Sequence, residues 1–164
     1  MSRLDSFIHR LTAQRACLDA AALAIGDRPG PVLEVGLGNG RTYDHLRERL
    51  PGRDIFVFER QVAAHPDCVP DQAHLLLGDF RDTLPAALAR LGAPAVLAHC
   101  DFGSGDAAAT AALAVWLAPA LTGLLADGAV VASDQPLEAA GLTPLDLPEA
   151  VAPGRYHLYR YQSS

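Results

Sequence analysis

The chain has 164 residues, half of them hydrophobic and a fifth charged, with a formal net charge of −6. That length suits one domain with a sizeable core, and the acidic balance offers no general attraction to nucleic acid or an anionic membrane. Cys17, Cys68 and Cys100 are too few and too scattered for a disulfide framework or zinc pair, and no apolar leader or spanning run is evident, so cytoplasm is the expected compartment.

Leu4, Phe7, Ile8, Leu11, Leu18 and Ala22 recur at helical spacing, with Ser2 placed to cap the helix. Gly26 to Pro31 stop it, because two prolines and two glycines disfavour continuation. Val32 to Val35 read as a short buried strand, and Gly36, Gly38 and Gly40 as a turn that a ligand can approach closely. A helix then starts near Arg41, its free N–H groups facing the turn, with Tyr43, Leu46 and Leu50 on one side.

Ile55 to Phe58 form a second, wholly apolar strand ending at Glu59, as expected where helices cover both faces. Pro66 and Pro70 leave room for only a short helix between residues 61 and 72. His74 to Leu77 is a third strand, followed by Gly78, Asp79 and Phe80. Thr83 to Leu91 is expected as one helix, with Pro85 tolerated in its first turn. Ala95 to His99 is a fourth strand, and Cys100 to Gly105 the loop that leaves it. An alanine-rich helix runs from Ala107 to Leu117, where Pro119 is a potential break. Gly128 to Ser133 is a fifth strand, with Asp134, Gln135 and Pro136 beyond it. In the tail, Leu142 to Leu147 and Arg155 to Tyr161 suggest two strands joined by a turn.

This order predicts an α/β fold, a doubly wound Rossmann-like sheet of about seven strands. It is mostly parallel, with a C-terminal antiparallel hairpin and an added N-terminal helix. Residues 1–164 form a single domain: a helical extension over 1–30, a cofactor-binding core over 31–135, and sheet completion over 136–164. Ligands of such sheets lie beyond the carboxyl ends of the strands. Those exits carry Glu59, Asp79, Asp101 and Asp134 beside the glycine turn. Any one of these acids could be a helix cap; their recurrence suggests a shared site.

A nicotinamide fingerprint requires Gly-x-Gly-x-x-Gly, but Arg41 stands where the third glycine belongs and Gly40 comes one place early. A Walker loop needs Lys before Ser or Thr, and none is present. The actual run, Glu34-x-Gly36-x-Gly38-x-Gly40, resembles the first motif of class I S-adenosylmethionine-dependent methyltransferases. A small bacterial family within that superfamily is the narrower similarity, and it names no acceptor.

The resemblance spans about Val32 to Gln135. It implies S-adenosyl-L-methionine as cofactor, with Gly36, Gly38 and Gly40 under its methionine and ribose portions. It implies that Glu34 organises the amino group, directly or through water, and that Glu59 binds the ribose hydroxyls. Asp79, following Gly78, would approach the adenine amino group, with Phe80 beside the ring. Arg41 or Thr42, with the helix N-terminus, could receive the methionine carboxylate; a cap for Thr42 and a solvated surface for Arg41 are the plainer readings.

Methyl transfer needs an acceptor held in line with the sulfonium, and the loop after the fourth strand is where the family places it. His99 is a candidate base by its near-neutral titration, or else a contact to the cofactor backbone. Asp101 is a candidate for orienting the acceptor. Asp101-Phe102 lacks the Asn/Asp-Pro-Pro-Tyr/Phe pattern of amino methyltransferases acting on adenine or glutamine, which removes support for nucleic-acid substrates. His45, His65 and Cys68 share no ligand spacing, so no metal is expected. The expected activity is transfer to O or N of a small molecule. The alternative is a non-catalytic cofactor-binding sensor or partner subunit. The alanine-rich face around Ala111, Val115 and Trp116 makes a homo-oligomer possible.

Overall fold

The computed structural model describes residues 1–163. Seven strands form one sheet in the order β3-β2-β1-β4-β5-β7-β6. They are β1 (Val32–Val35), β2 (Ile55–Glu59), β3 (Leu75–Leu77), β4 (Ala95–Cys100), β5 (Leu125–Ser133), β6 (Leu142–Pro144) and β7 (His157–Tyr161). The first five run parallel; β7 is antiparallel to both β5 and β6. The strand order, not the strand direction, reverses between β1 and β4, so the exits of those two parallel strands face an open crevice.

Helix α1 (Arg3–Ile25) begins with the expected cap: Ser2 accepts from the Asp5 N–H, and Asp5 reciprocates. Its second half packs Ala13, Cys17, Leu18, Ala21 and Ile25 on one face of the sheet, beside Tyr43 and Leu46 of α2 (Arg41–Arg49). The first three turns leave Leu4, Phe7 and Ile8 largely in solvent. The opposite face is covered by α5 (Ala107–Thr122), through Ala114, Leu117, Ala118 and Leu121. The two faces follow from strand alternation: Leu33 and Val35 join the second layer, while Val32 and Glu34 point to the first.

Two local expectations are corrected. The span Thr83 to Leu91 is two single-turn helices, α3 (Phe80–Thr83) and α4 (Leu88–Leu91). Asp79 caps the Arg81 N–H and starts α3 three residues earlier than the apolar spacing suggests. Pro85 therefore falls beyond the first turn, where its missing N–H interrupts the ladder. Pro119, by contrast, does not break α5. The carbonyl it leaves without a partner belongs to Val115, which is 77% exposed and can be satisfied by water. The step from β5 to β6 carries no helix, so the winding is incomplete on that side. Among the described residues, no helix is long and apolar enough to cross a membrane.

Candidate active site

Beyond the strand exits lies a cleft of about 260 Å³. Its walls are Gly36 and Gly38 of the turn after β1, Glu59 at the end of β2, and Asp79-Phe80-Arg81 after β3. Asp101-Phe102-Gly103 after β4 and Leu113 of α5 complete it. Gly36 has φ 96°, and an added Cβ would stand far inside contact distance of the Asp101 carbonyl. The exits of β1 and β4 can be this close only without a side chain there.

Glu59 is more than a free acceptor. One of its oxygens accepts the Leu37 and Gly38 N–H groups at 2.8 and 3.1 Å. The other accepts the Arg60 and Gln61 N–H groups at 2.7 and 3.3 Å. The carboxylate thus braces the glycine turn from the neighbouring strand. Asp79 lines the cleft while capping α3, and Phe80, half-buried, packs on the core beside it. Arg81 lies over the Trp116 ring at 5.4 Å. Gly78, at φ 147°, forms the corner between β3 and Asp79, its N–H bonded to the Glu59 carbonyl.

The other expected site residues do not reach this cleft. Gly40 is the left-handed N-cap of α2, where a Cβ would meet Cys68 and Ala64; its constraint is the packing of the turn at Pro66–Cys68. Arg41 lies in a groove between α1 and α2, with Leu11, Gln14, Arg15, Thr42 and His45. Thr42 turns inward and donates to Glu34.

Glu34 and His99 are wholly buried beneath the turn. They are register partners on adjacent parallel strands, which sets their side chains on one face. Nδ1 of His99 meets Oε2 of Glu34 at 2.7 Å, and Nε2 meets the hydroxyl of Tyr156. Both ring nitrogens are taken, and no substrate in the cleft can reach either one. The role of base expected for His99 therefore has no geometry here, and neither has direct contact of Glu34 with a bound amino group.

Burial pulls the His99 pKa down, but the charge and hydrogen bond of Glu34, with Asp101 and Asp134 beyond, leave it above the ordinary value of 6.5. A folded-state pKa raised in this way contributes stability that is complete below the unfolded value and lost as pH rises through the folded one. The thermal midpoint should therefore decline as pH is raised from about 6.5 upwards. A pH series of melts on wild type and Glu34→Gln checks this, with the decline expected to flatten in the variant.

Sequence reasoning missed Gln14 and Tyr156. Gln14, from α1, donates to Oδ2 of Asp101 at 2.9 Å and lies 3.4 Å from the Tyr156 hydroxyl. The available signal was two ionisable residues, Glu34 and His99, in otherwise apolar strands; such groups require each other and further partners. Asp134 accepts from Phe102 N–H at 3.2 Å, Gly103 N–H at 2.9 Å and Gln135 Nε2 at 3.0 Å. It clamps the β4 exit loop, and burial raises its pKa against those hydrogen bonds. Cys100 is fully buried with its thiol pushed well up by burial, which removes it as a nucleophile. A second hollow of about 510 Å³ lies on the far side of Ser104 and Gln135, along Ala107 and Ala111 of α5.

A turn that admits close backbone approach, with acids on the next two strand ends, suits a nucleoside carrying a diol and an exocyclic amine. Comparison with protein families gives a match over residues 1–161 to the family described as S-adenosyl-L-methionine methyltransferase. The chain belongs to that family. S-adenosyl-L-methionine is accordingly its cofactor, and the acidic groups and open glycine backbone of the cleft fit that molecule.

Among solved structures, an S-adenosyl-L-methionine methyltransferase from Silicibacter pomeroyi is similar at 46% identity. The alignment covers 98% of this chain and 99% of that one, with a TM-score of 0.92. The methyltransferase fold is shared more distantly with the sugar N-methyltransferase KedS8 from Streptoalloteichus (22% identity, 88% of this chain, 61% of that chain, TM-score 0.50). It is shared likewise with the plantazolicin methyltransferase BpumL, solved with S-adenosylhomocysteine (14% identity, 76% of this chain, 46% of that chain, TM-score 0.50). Comparison with curated proteins finds no match.

Proposed function

We propose that the protein transfers the methyl group of S-adenosylmethionine to an oxygen or nitrogen of a small molecule, in the cleft at the exits of β1 to β4. The observation that carries this is the convergence of Gly36, Gly38, Glu59 and Asp79 on one hollow. Gly36 and Gly38 offer backbone to the methionine and ribose portions. Glu59 accepts the ribose hydroxyls, which take over from its longer amide contacts at 3.1 and 3.3 Å. Asp79 accepts from the adenine amine, and Phe80 flanks the ring. Glu34 and His99 support the turn from below, with Thr42 of α2 donating to Glu34.

When bound, the cofactor supplies a methyl group activated on a cationic sulfur. The remaining work of this chain is alignment. Asp101, at the exit of β4, orients the acceptor O–H or N–H; Asp134 keeps the loop around it in place. The acidic groups on this side, and the overall charge of −6, favour a small neutral or cationic acceptor over nucleic acid. Cytoplasm is the proposed compartment, consistent with three free cysteines. Self-association is proposed through exposed apolar residues of α5 and α1, including Val115, Leu4 and Ile8.

Methyl-labelled S-adenosylmethionine, incubated with the protein and a panel of small amines, alcohols and acids, tests the reading. Transfer of label to one of them is expected. Binding without transfer to any would favour the sensor role. A parallel thermal-shift series should show S-adenosylmethionine at 100 times its Kd stabilising the fold by about 2.7 kcal/mol, and nicotinamide dinucleotides giving no shift.

A further inference from the structure

Asp101 has one carboxylate oxygen fixed by Gln14 at 2.9 Å. Gln14 in turn lies within 3.4 Å of Tyr156, which bonds to His99, which bonds to Glu34. Glu34 ends the chain by accepting from Thr42 at the start of α2. Gln14, Tyr156, His99 and Glu34 are all buried, and no buried polar side-chain atom is left without a partner among the described residues.

With neutral His99 the donors and acceptors close in one direction. Thr42 O–H and His99 Nδ1–H both give to Glu34, and Tyr156 O–H gives to Nε2. Gln14 spends one N–H on Tyr156 and the other on Asp101. An amide neither gains nor loses a proton here, so Gln14 supplies direction and not acid–base chemistry. A chain of this kind is rigid because each bond polarises the next. It runs from beneath the glycine turn, across β1 and β4, through Tyr156 just before β7 and Gln14 of α1, to a carboxylate in the cleft.

We infer that Gln14 positions the Asp101 carboxylate for selective binding of the cationic cofactor, with Tyr156 holding Gln14 in turn. This rests on the cofactor reading above. The group placed at the exit of β4 is then a carboxylate held toward the sulfonium end of the bound nucleoside. S-adenosylmethionine is cationic at sulfur and its thioether product is neutral there. A carboxylate so held favours the substrate form and lets the product go, and the preference depends on a side chain contributed by the N-terminal helix.

The test is calorimetric titration of S-adenosylmethionine and S-adenosylhomocysteine into the full chain. Wild type is compared with Asp101→Asn, Gln14→Met, Tyr156→Phe and the Asp101→Asn/Gln14→Met pair. Asp101→Asn is expected to lower the preference for the cationic form about tenfold. Gln14→Met, close in volume but without the N–H, should lower it about threefold with little change in affinity for the neutral product. Tyr156→Phe should move it the same way, by less. In the Asp101→Asn background Gln14→Met should add nothing, because both act on one carboxylate.

The inference is overturned if Gln14→Met leaves the ratio unchanged, or weakens both nucleosides equally as a packing defect would. It is also overturned if its effect adds fully to that of Asp101→Asn. Wild type binding neither nucleoside would instead overturn the cofactor reading, and this inference with it.

Discussion

At a pH below the raised His99 pKa, where the ring is protonated, Glu34→Ala should cost about 3–5 kcal/mol of folding stability, the loss expected when one member of a buried charged pair is removed. Glu34 is wholly buried, accepts from both His99 and Thr42, and sits in the central strand of the parallel half of the sheet. Truncation leaves His99 without its Nδ1 acceptor and opens a void between β1, β4 and α2. Urea denaturation followed by circular dichroism gives the value. The loss should be nearly the same with and without saturating S-adenosylhomocysteine once its own linkage is subtracted. A loss under 1 kcal/mol would mean that the pair contributes little to the fold.

Glu59→Ala, at the end of the neighbouring strand, should have the opposite profile. Hydrogen bonds to a charged group are worth about 1.5–3 kcal/mol each. Losing the ribose contacts should therefore weaken S-adenosylmethionine binding by about 3 kcal/mol, or roughly a hundredfold in Kd. Folding should suffer by only about 1 kcal/mol, since Glu59 is half-buried and the freed Leu37 and Gly38 amides can turn to water. Part of the binding loss will come from the turn itself, which no longer has its brace and must be ordered by the ligand. Glu59→Gln separates the two contributions, because it keeps the side-chain volume and removes the charge. Calorimetry on both variants checks the ranking: alanine weaker than glutamine, and both well below wild type.

These two glutamates show what could and could not be read along the chain. The strand, glycine turn and helix between Val32 and Arg49 were legible because apolar run, turn residues and helical spacing follow one another without a gap. Glu59 and Asp79 were legible as strand-end acids for the same reason, and the sheet places both on the cleft. Their partners within the protein were not. That Glu59 holds the amides of Leu37 and Gly38 requires β2 beside β1, and that His99 faces Glu34 requires β4 on the other side.

Gln14 and Tyr156 stand 142 positions apart and meet only because α1 packs on the face of the sheet that Tyr156, just before β7, joins. No spacing rule reaches that far. Pro85 shows the local version of the same limit. Its effect depends on where its helix starts, and Asp79, outside the apolar pattern, sets that start.

The most direct measurement of the central claim is a crystal structure of the complex with S-adenosylhomocysteine. The account places the ribose hydroxyls within about 2.5–3.0 Å of the Glu59 carboxylate, the adenine between Asp79 and Phe80, and the sulfur facing Asp101. A nucleoside bound elsewhere, with Glu59 still holding all four of its amides, would contradict it.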